Sequence, residues 1–281
     1  MLNRSFFRVL VAFGGLVLLA LAPPVAAEVP TLVVRFLDVG QADSLVLQQG
    51  THALLIDAGN NADQKTVLGE LDKLGLKRLD AVIGTHAHED HIGAMDAVIK
   101  TREIGTVYFP RQTATTKTFR DFATAVKAKN LKLTAPKPGE SFELGLAHVE
   151  FLAPARLDYE DPNEFSIVVR VTFGKTSFVL TGDASFESEG EMLASGRNLS
   201  ATVLKVGHHG SATASSAAFL AAVHPAFAVI SVGADNKYGH PTSEALGRLK
   251  AAGATVYRTD QRGLVTATSD GATVSWSFER S

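Results

Sequence analysis

Five groups of histidine and aspartate each follow a short apolar run, and this arrangement restricts the fold more than any other feature of the sequence. The groups are Asp57 after HALLI; His86, His88, Asp90 and His91 after DAVIG; Asp183 after SFVLTG; His208 and His209 after ATVLKVG; and His240 after AFAVISVGADNKYG. A sheet holds the loops at the carboxyl ends of its strands in fixed positions, and ligands gather there. We therefore expect the five loops to converge at one sheet edge.

The remaining pattern predicts an α/β layered domain. Short β-rich runs alternate with segments of helical spacing, at residues 63–74, 91–100, 117–129, 185–195, 213–222 and 242–252. Two hairpins, beginning at Ser44 and Ser166, each end in an aspartate, which suggests two similar halves. No linker rich in proline or serine divides the chain, so we predict one domain over residues 28–281.

Residues 1–27 have the composition of a cleavable signal peptide. Two arginines precede the acid-free apolar run 9–21, and small residues at Val25 and Ala27 suit cleavage after Ala27. The run is shorter than the roughly 20 apolar residues that a membrane span needs. An uncleaved N-terminal anchor is the alternative. We predict a protein exported to the bacterial periplasm or exterior, without stable membrane association once the segment is removed.

Composition and charge exclude two classes of site. The absence of cysteine excludes disulfides and thiolate metal ligands. The net charge is −2, and removing residues 1–27, with two arginines and no acid, changes it to −4. This mild acidity argues against extended binding to a phosphate backbone. Four basic residues near the motif loops could form a local anion funnel, a positively charged surface that attracts an anionic substrate. The alternative is that they are ordinary solvated surface side chains. The four residues are Lys205, Lys237, Arg258 and Arg262.

The segment THAHEDHIGA has the local geometry of a metal site. His86 and His88 project to the same side of an extended loop, because the strand period is two. Asp90 and His91 then begin the next helix and can point at a second ion. Two ions need a shared anionic ligand, for which Asp183 is suited. Such a pair would polarise an electrophile and generate hydroxide near neutral pH. A solvated histidine-rich loop is the alternative.

This segment and seven others resemble the metallo-β-lactamase superfamily. The others are FLDVGQADS, LLIDAGN, NEFSIVV, LTGD, LKVGHHGS, ISVGADNKYGHP and YRTDQRG, which run with it from Phe36 to Gly263. H-x-H-x-D-H is the signature of the superfamily. VGHHGS and NKYGHP resemble more closely its ComEC-like branch, the hydrolase domain of the bacterial competence DNA-uptake protein and its free-standing relatives. The resemblance implies an αββα four-layer sandwich with a metal site along one edge.

The resemblance also implies roles for individual residues. The implied metal ligands are His86 and His88 for the first ion; Asp90, His91 and His240 for the second; and Asp183 as the bridge. Asp57 resembles an aspartate that orients the ligand loop from behind. Three more residues are expected along the same edge, Asp38, Gln41 and Asp43. Two zinc ions are the expected cofactor, with manganese as the alternative.

One departure from the superfamily concerns the first metal ion. Many members have a further histidine before the bridging aspartate, where this chain has Asn163 and Ser166 within DPNEFSIVV. His148, the only histidine in that interval, alternates with Val149 and Phe151 and is predicted to face solvent. An amide oxygen is a poorer zinc ligand than imidazole, so a labile or manganese-loaded first site is an alternative.

His208 and His209 lie in a glycine-flanked loop, which lets a side chain approach substrate closely. One could protonate the leaving oxygen or hold a phosphate oxygen, and the other could bind metal or support the loop. We favour His209 for the chemistry, together with Asp90 at the metal. Ser211 could donate to the same phosphate.

The leading functional hypothesis is an exported metal-dependent phosphodiesterase or nuclease-type enzyme that uses a two-metal-activated hydroxide. Its substrate would be a phosphodiester or another small molecule, with nucleic acid ends as one class. Two alternatives stay open, because a fold and its metals do not fix the substrate. The first is a metallo-hydrolase of another ester, lactone or β-lactam. The second is a non-catalytic metal-binding receptor module. The sequence leaves the oligomeric state open.

Overall fold

Two β-sheets face each other and helices cover their outer sides in the computed structural model, which describes residues 30–280. The predicted signal peptide, residues 1–27, lies outside the described residues. The strands are β1 (Leu32–Phe36), β2 (Leu45–Gln49), β3 (His52–Ile56), β4 (Arg78–Ile83), β5 (Glu103–Tyr108), β6 (Leu133–Thr134), β7 (Ser141–Leu144), β8 (Ala147–Ala153), β9 (Val168–Phe173), β10 (Thr176–Leu180), β11 (Val203–Lys205), β12 (Phe227–Ile230), β13 (Thr255–Arg258), β14 (Val265–Ser269) and β15 (Val274–Phe278). The helices are α1 (Gln64–Lys73), α2 (Glu89–Ile92), α3 (Met95–Thr101), α4 (Lys117–Ala128), α5 (Phe186–Ala194), α6 (Ala217–Val223), α7 (Ser243–Ala251) and α8 (Thr259–Arg262).

The two sheets share one plan. The eight-stranded sheet has the order β15-β14-β1-β2-β3-β4-β5-β6, and the seven-stranded sheet has the order β13-β12-β11-β10-β9-β8-β7. In the first sheet, the antiparallel hairpin β2–β3 is followed by parallel β4. In the second, the antiparallel hairpin β9–β10 is followed by parallel β11. The predicted similarity of the two halves is confirmed at this level.

Three apolar layers hold the sandwich together. Between the sheets, Phe36 and Leu54 pack in one cluster with Phe178. Outside the first sheet, Val82 belongs to a cluster with Phe122 of α4. The cluster outside the second sheet contains side chains from α5, α6 and α7, namely Met192, Phe219, Leu220 and Leu249. The expected αββα four-layer sandwich is therefore confirmed.

One predicted helix is broken, and the reason lies beside the candidate site. Residues 91–100 were expected to form a single helix, whereas α2 ends at Ile92 and α3 begins at Met95. At Gly93 a β-carbon would lie 2.1 Å from the Asn60 carbonyl carbon, so the two loops touch through their backbones. The Gly93 amide donates to the Gly59 carbonyl across 2.7 Å. This contact fixes the histidine-rich segment against the loop that follows β3.

The parallel strands carry the polar loops to one edge, as the sequence predicted. Asp57 follows β3, the histidine-rich segment follows β4, and Asp183 follows β10. The remaining two loops follow β11 and β12 in the same parallel set. Among residues 30–280, no helix has the length and apolarity to cross a membrane.

Candidate metal centre

An open hollow of about 340 Å³ lies at this edge. The residues that line it are Gln41, His88, Glu89, Asp90, Asn163, Asp183, His208, His209, Tyr238 and His240. Four of the five predicted groups contribute to the lining. The fifth, Asp57, is fully buried and contacts His91 below the hollow. The predicted convergence of the loops is confirmed.

Four side chains form the closest group, with one ligand atom from each lying within 4.8 Å of the others: Asp90, His91, Asp183 and His209. His91 Nε2 lies 3.3 Å from Asp183 Oδ2 and 3.8 Å from Asp90 Oδ2. His209 Nε2 lies 3.3 Å from Asp90 Oδ2 and 3.6 Å from Asp183 Oδ2. Two imidazoles and two carboxylates at this spacing are a ligand set for zinc and related divalent ions.

Buried atoms without partners test whether a cation fits this group. His91 Nε2, His209 Nε2 and Asp183 Oδ1 are buried and have no hydrogen-bond partner among the described residues. A buried polar group without a partner costs about 1–3 kcal/mol. Three such atoms in one cluster of side chains would destabilise the fold unless something else satisfies them. A divalent cation does so, and the residues present fit it.

Contacts behind both histidines fix which ring nitrogen faces the group. His91 Nδ1 lies 2.8 Å from Asp57 Oδ2, and His209 Nδ1 lies 3.0 Å from the Ser231 carbonyl oxygen. Because Nδ1 donates its proton to these acceptors, Nε2 is the free lone pair in each neutral ring. Asp57 is held in turn by Thr85, whose amide and hydroxyl both donate to its carboxylate at 2.8 Å.

The backbone of the second histidine loop is strained. His208 and His209 have φ values of 48° and 52° within the turn Gly207–Gly210. A residue other than glycine in this left-handed region costs of order 1–3 kcal/mol. Asp57, with φ of 57°, shares the feature. Two of the seven described non-glycine residues with positive φ, Asp57 and His209, thus aim or provide a candidate ligand.

A second point of convergence lies beside the first. His86 Nε2 and His88 Nδ1 are 3.0 Å apart, as expected for two ligands of one ion. Burial, followed by the neighbouring His91, lowers the pKa of His86 well below its ordinary value, so its ring is neutral and able to bind metal. Asn163 Oδ1 is buried without a partner among the described residues and lines the same hollow. Ser166 Oγ accepts from the Asp183 amide at 3.1 Å and lies 3.4 Å from His86 Nδ1.

The electrostatics of the four-residue group favour a cation. Burial alone would lower the pKa of His91, but Asp183 and Asp57 raise it well above its ordinary value. Burial alone would also lower the pKa of His209, but the Asp183 carboxylate raises it above its ordinary value. Burial would raise the pKa of Asp183, whereas His91 and His209 hold it well below the usual range. The carboxylates thus attract positive charge, which a metal ion supplies in place of imidazole protons.

His209 takes the place in the ligand group that was expected for His240. His240 lines the hollow but lies outside the four-residue group. Its ring centroid is 5.7 Å from that of His208, and its Nδ1 has no partner among residues 30–280. The left-handed turn and the Ser231 carbonyl direct His209 inward. This geometry places His209 in the candidate ligand group and leaves His208 at the surface of the hollow.

The structure separates several predicted residues from the hollow. Asp38 lines a different cavity, of about 440 Å³, and pairs with Arg280. The Ser211 hydroxyl contacts the Thr213 hydroxyl at 3.1 Å within its own loop, and Ser211 is not among the lining residues. Asp38 is therefore held by an arginine distant in sequence, and Ser211 by a hydroxyl of its own loop.

The described residues largely lack the anion funnel that the sequence left open as an interpretation. The Lys205 side chain is 1% exposed and paired with Asp43 below the hollow. Arg258 pairs with Asp260, and the Arg262 guanidinium lies 5.2 Å from the Phe278 ring. Lys237 alone stays beside the hollow, with Nζ 5.1 Å from the Tyr238 ring centroid.

Other predicted placements agree with the structure. Gln41 lines the hollow and its Oε1 accepts from the Gly233 amide at 3.2 Å. His148 is exposed and contacts Glu143 at 2.7 Å, as the strand alternation predicted. The contributors that the sequence reasoning missed include Thr85, Gln112 and, in the lining, Tyr238. The Thr85 hydroxyl holds Asp57, and Gln112 Oε1 accepts from the Ala87 amide at 2.7 Å. Thr85 directly precedes the histidine-rich segment, whereas Gln112 had no sequence signal.

Comparisons with known proteins agree with this geometry. A family model described as "Metallo-beta-lactamase superfamily" matches residues 37–234. The chain is 30% identical over 252 residues to ComE operon protein 3 of Bacillus subtilis (strain 168), with 83% of this chain and 32% of that protein covered. It is 34% identical over 228 residues to competence protein ComA of Neisseria gonorrhoeae, with 80% of this chain and 30% of that protein covered. The chain thus spans about a third of the length of these relatives.

A solved structure shares the fold. The chain resembles the metallo-beta-lactamase fold protein YhfI from Bacillus subtilis with a TM-score of 0.54 and 17% sequence identity. The match covers 88% of this chain and 100% of that one. At this identity the likeness concerns the αββα arrangement.

Proposed function

The chain belongs to the metallo-beta-lactamase superfamily, and from this premise we propose that it is an exported phosphodiesterase that acts on nucleic acid ends. Two of its relatives are named ComE operon protein 3 and competence protein ComA, and nucleic acid as the substrate class rests on the ComEC-like resemblance of VGHHGS and NKYGHP. Export rests on the signal-like composition of residues 1–27. The fold is that of metal-dependent hydrolases.

The observation that carries the proposal is the set of partnerless buried atoms beside an open hollow. Asp90, His91, Asp183 and His209 would hold one divalent ion, and His86, His88 and Asn163 would hold a second. Zinc suits the set of two imidazoles and two carboxylates. Manganese suits the other set, which the Asn163 amide oxygen completes. When bound, such ions supply Lewis acidity and lower the pKa of water.

Asp183 lies between the two sets of ligands. Its carboxylate faces His91 and His209, and its amide is tied to Ser166, which contacts His86. A single anion in this position offsets the repulsion between two cations. Asp183 is therefore the residue that a two-ion reaction needs most.

His208 is the side chain best placed to move a proton. Its side chain is 27% exposed, lines the hollow, and has Nε2 3.8 Å from Asp183 Oδ2. Because His209 would serve as a ligand, His208 takes the role of donating a proton from Nε2 to the leaving oxygen. This assignment reverses the sequence-based preference for His209.

The mouth of the hollow offers a surface for a nucleobase. Tyr238 lines it with 59% of its surface exposed, and its ring stacks on His240 at a centroid distance of 5.8 Å. Lys237 lies beside the ring and could contact a neighbouring phosphate. A base stacked on an aromatic side chain contributes about 1–3 kcal/mol. The acidic net charge favours a short substrate or a chain end over extended binding.

Hydrolysis of bis(p-nitrophenyl) phosphate tests the proposal. Residues 28–281 would be stripped of metal and then reloaded with zinc or manganese. We expect turnover that requires metal and is abolished in Asp183→Asn. Asp158→Asn is the matched control, because Asp158 is 80% exposed and outside the hollow. Absence of turnover by folded, metal-loaded protein would contradict the proposal and favour the ester, lactone or receptor alternatives.

A further inference from the structure

Lys205 and Asp43 form a buried ion pair below the candidate metal centre. Both side chains are 1% exposed, and Lys205 Nζ contacts Asp43 Oδ2 and the Gly182 carbonyl, the latter at 3.2 Å. Lys205 ends β11 in the second sheet, and Asp43 precedes β2 in the first. Burying two charges costs as much desolvation energy as their attraction returns, so such a pair is weak evidence for a stabilising role. The pair therefore needs a reason other than folding.

The position of Asp43 suggests that reason. Asp43 Oδ1 lies 3.5 Å from His209 Nδ1, and Asp43 Oδ2 lies 3.9 Å from His91 Nδ1. It therefore stands directly behind both imidazoles of the four-residue group. A charge at this position acts on any ion that the imidazoles bind, because buried charges are poorly screened by solvent and salt.

The second acidic cluster already contains a cation. Asp43, Asp57 and His91 also have metal-like spacing, with ligand atoms within 4.8 Å of one another. The Lys205 ammonium lies against Asp43 and neutralises it. This cluster thus needs no metal ion, and Lys205 sets how much of the negative charge of Asp43 reaches the metal centre.

We propose that Asp43 and Lys205 are positioning residues that set the affinity of the centre for divalent cations in opposite directions. Asp43 strengthens binding through its charge, and Lys205 limits that effect. Without Lys205, the centre would hold metal more tightly. This inference rests on the metal centre of the proposed function but not on its substrate.

The test measures the zinc affinity of the full chain by competition with a chromogenic chelator. We expect Asp43→Asn to weaken Zn²⁺ binding by roughly tenfold or more, and Lys205→Met to strengthen it by a similar factor. The double variant Asp43→Asn with Lys205→Met should return to within about threefold of wild type, since the two charge effects cancel. Lys175→Met, at an exposed turn, is the control and should leave the affinity unchanged.

A second measurement separates this role from a structural one. Circular dichroism in EDTA follows thermal unfolding of the metal-free proteins, and a purely structural pair would lower the Tm without shifts of opposite sign in zinc affinity. If Lys205→Met does not fold, the double variant compared with Asp43→Asn measures the same effect, which should be a tightening of about tenfold.

The outcomes separate the two proposals. Affinity shifts of the same sign, or none, would overturn the inference while the metal centre stands. If wild-type protein binds no Zn²⁺, both the metal centre and the inference are wrong. If the opposite shifts appear but no phosphodiester is hydrolysed, the inference stands and the proposed function falls.

Discussion

Asp57 Oδ2 and His91 Nδ1 lie 2.8 Å apart in the buried base of the site, and this contact aims His91 Nε2 at the candidate metal position. Asp57 has a left-handed backbone, and Thr85 grips both of its oxygens. The loop after β3 therefore orients an imidazole of the loop after β4 toward the candidate metal position.

Replacing Asp57 by Asn should weaken metal binding by about 10- to 100-fold, which is typical when the carboxylate behind a ligand histidine is lost. The measurement is zinc affinity by chelator competition. Asp80→Asn is a matched control, because Asp80 also pairs with a histidine, His52, whose Nδ1 lies 3.1 Å away. His52 begins β3, at the end of the strand opposite to Asp57. Equal losses in the two variants would contradict the assignment.

His209→Ala should reduce bound metal more than His240→Ala. Only His209 belongs to the four-residue group, whereas His240 lines the hollow outside it. Elemental analysis after dialysis should show that His209→Ala retains less metal per protein molecule than either His240→Ala or wild type. The reverse order would restore His240 to the ligand set.

Tyr238→Ala should discriminate between substrates with and without a base. Relative to wild type, kcat/KM for thymidine 5′-p-nitrophenyl phosphate should fall about 5- to 150-fold further than kcat/KM for methyl p-nitrophenyl phosphate. Tyr238→Phe should keep the discrimination, since the ring remains. Leu146→Ala is the control, because Leu146 is 67% exposed in the β7–β8 turn. Parallel losses on both substrates would exclude base stacking.

Gly93→Ala should destabilise the protein by about 1–3 kcal/mol or more, because the new methyl group overlaps the Asn60 backbone. Gly69→Ala in α1 should instead stabilise it by about 0.4–1 kcal/mol, since nothing lies within 4 Å of the added carbon. Urea unfolding of the metal-free proteins measures both. A neutral Gly93→Ala would mean that the two loops do not touch as described.

Tyr159 should make stability fall at alkaline pH. Burial and the adjacent Glu191 carboxylate raise the pKa of Tyr159 to about 12. The unfolded phenol ionises near 10, so the folded state holds its proton more tightly between about pH 10 and 12. The associated stability is present below pH 10 and is lost as pH rises through this window. Urea unfolding at pH 8, 10 and 11 should show a steeper decline for wild type than for Tyr159→Phe; parallel curves would contradict the assignment.

The sequence predicted that the polar loops converge at one sheet edge, because the signal for this convergence is local in the sequence. Polar residues directly after apolar runs indicate strand ends, and parallel strands bring those ends together. Strands β5 to β8 and β13 to β15 precede none of the five polar groups, and this signal does not predict them. His148 was nevertheless correctly assigned to the exposed face of its own segment by alternation.

What the sequence left open depends on contacts between distant residues. A left-handed turn and the Ser231 carbonyl bring His209 rather than His240 into the four-residue group, and neither feature has a residue signature. Lys205 was mistaken for a surface cation, although it stands inside the apolar run ATVLKVG. Its partner Asp43 is 162 residues away, beyond the reach of any periodicity.

The candidate ligands come from both sheets: His86, His88, Asp90 and His91 follow the first, and Asp183 and His209 follow the second. An ion bound between them would stabilise the folded state by about 4.1 kcal/mol when its free concentration is a thousandfold above Kd. The stability of the folded protein therefore depends on the free metal concentration around it. A chelator that removes this metal lowers the free energy of unfolding.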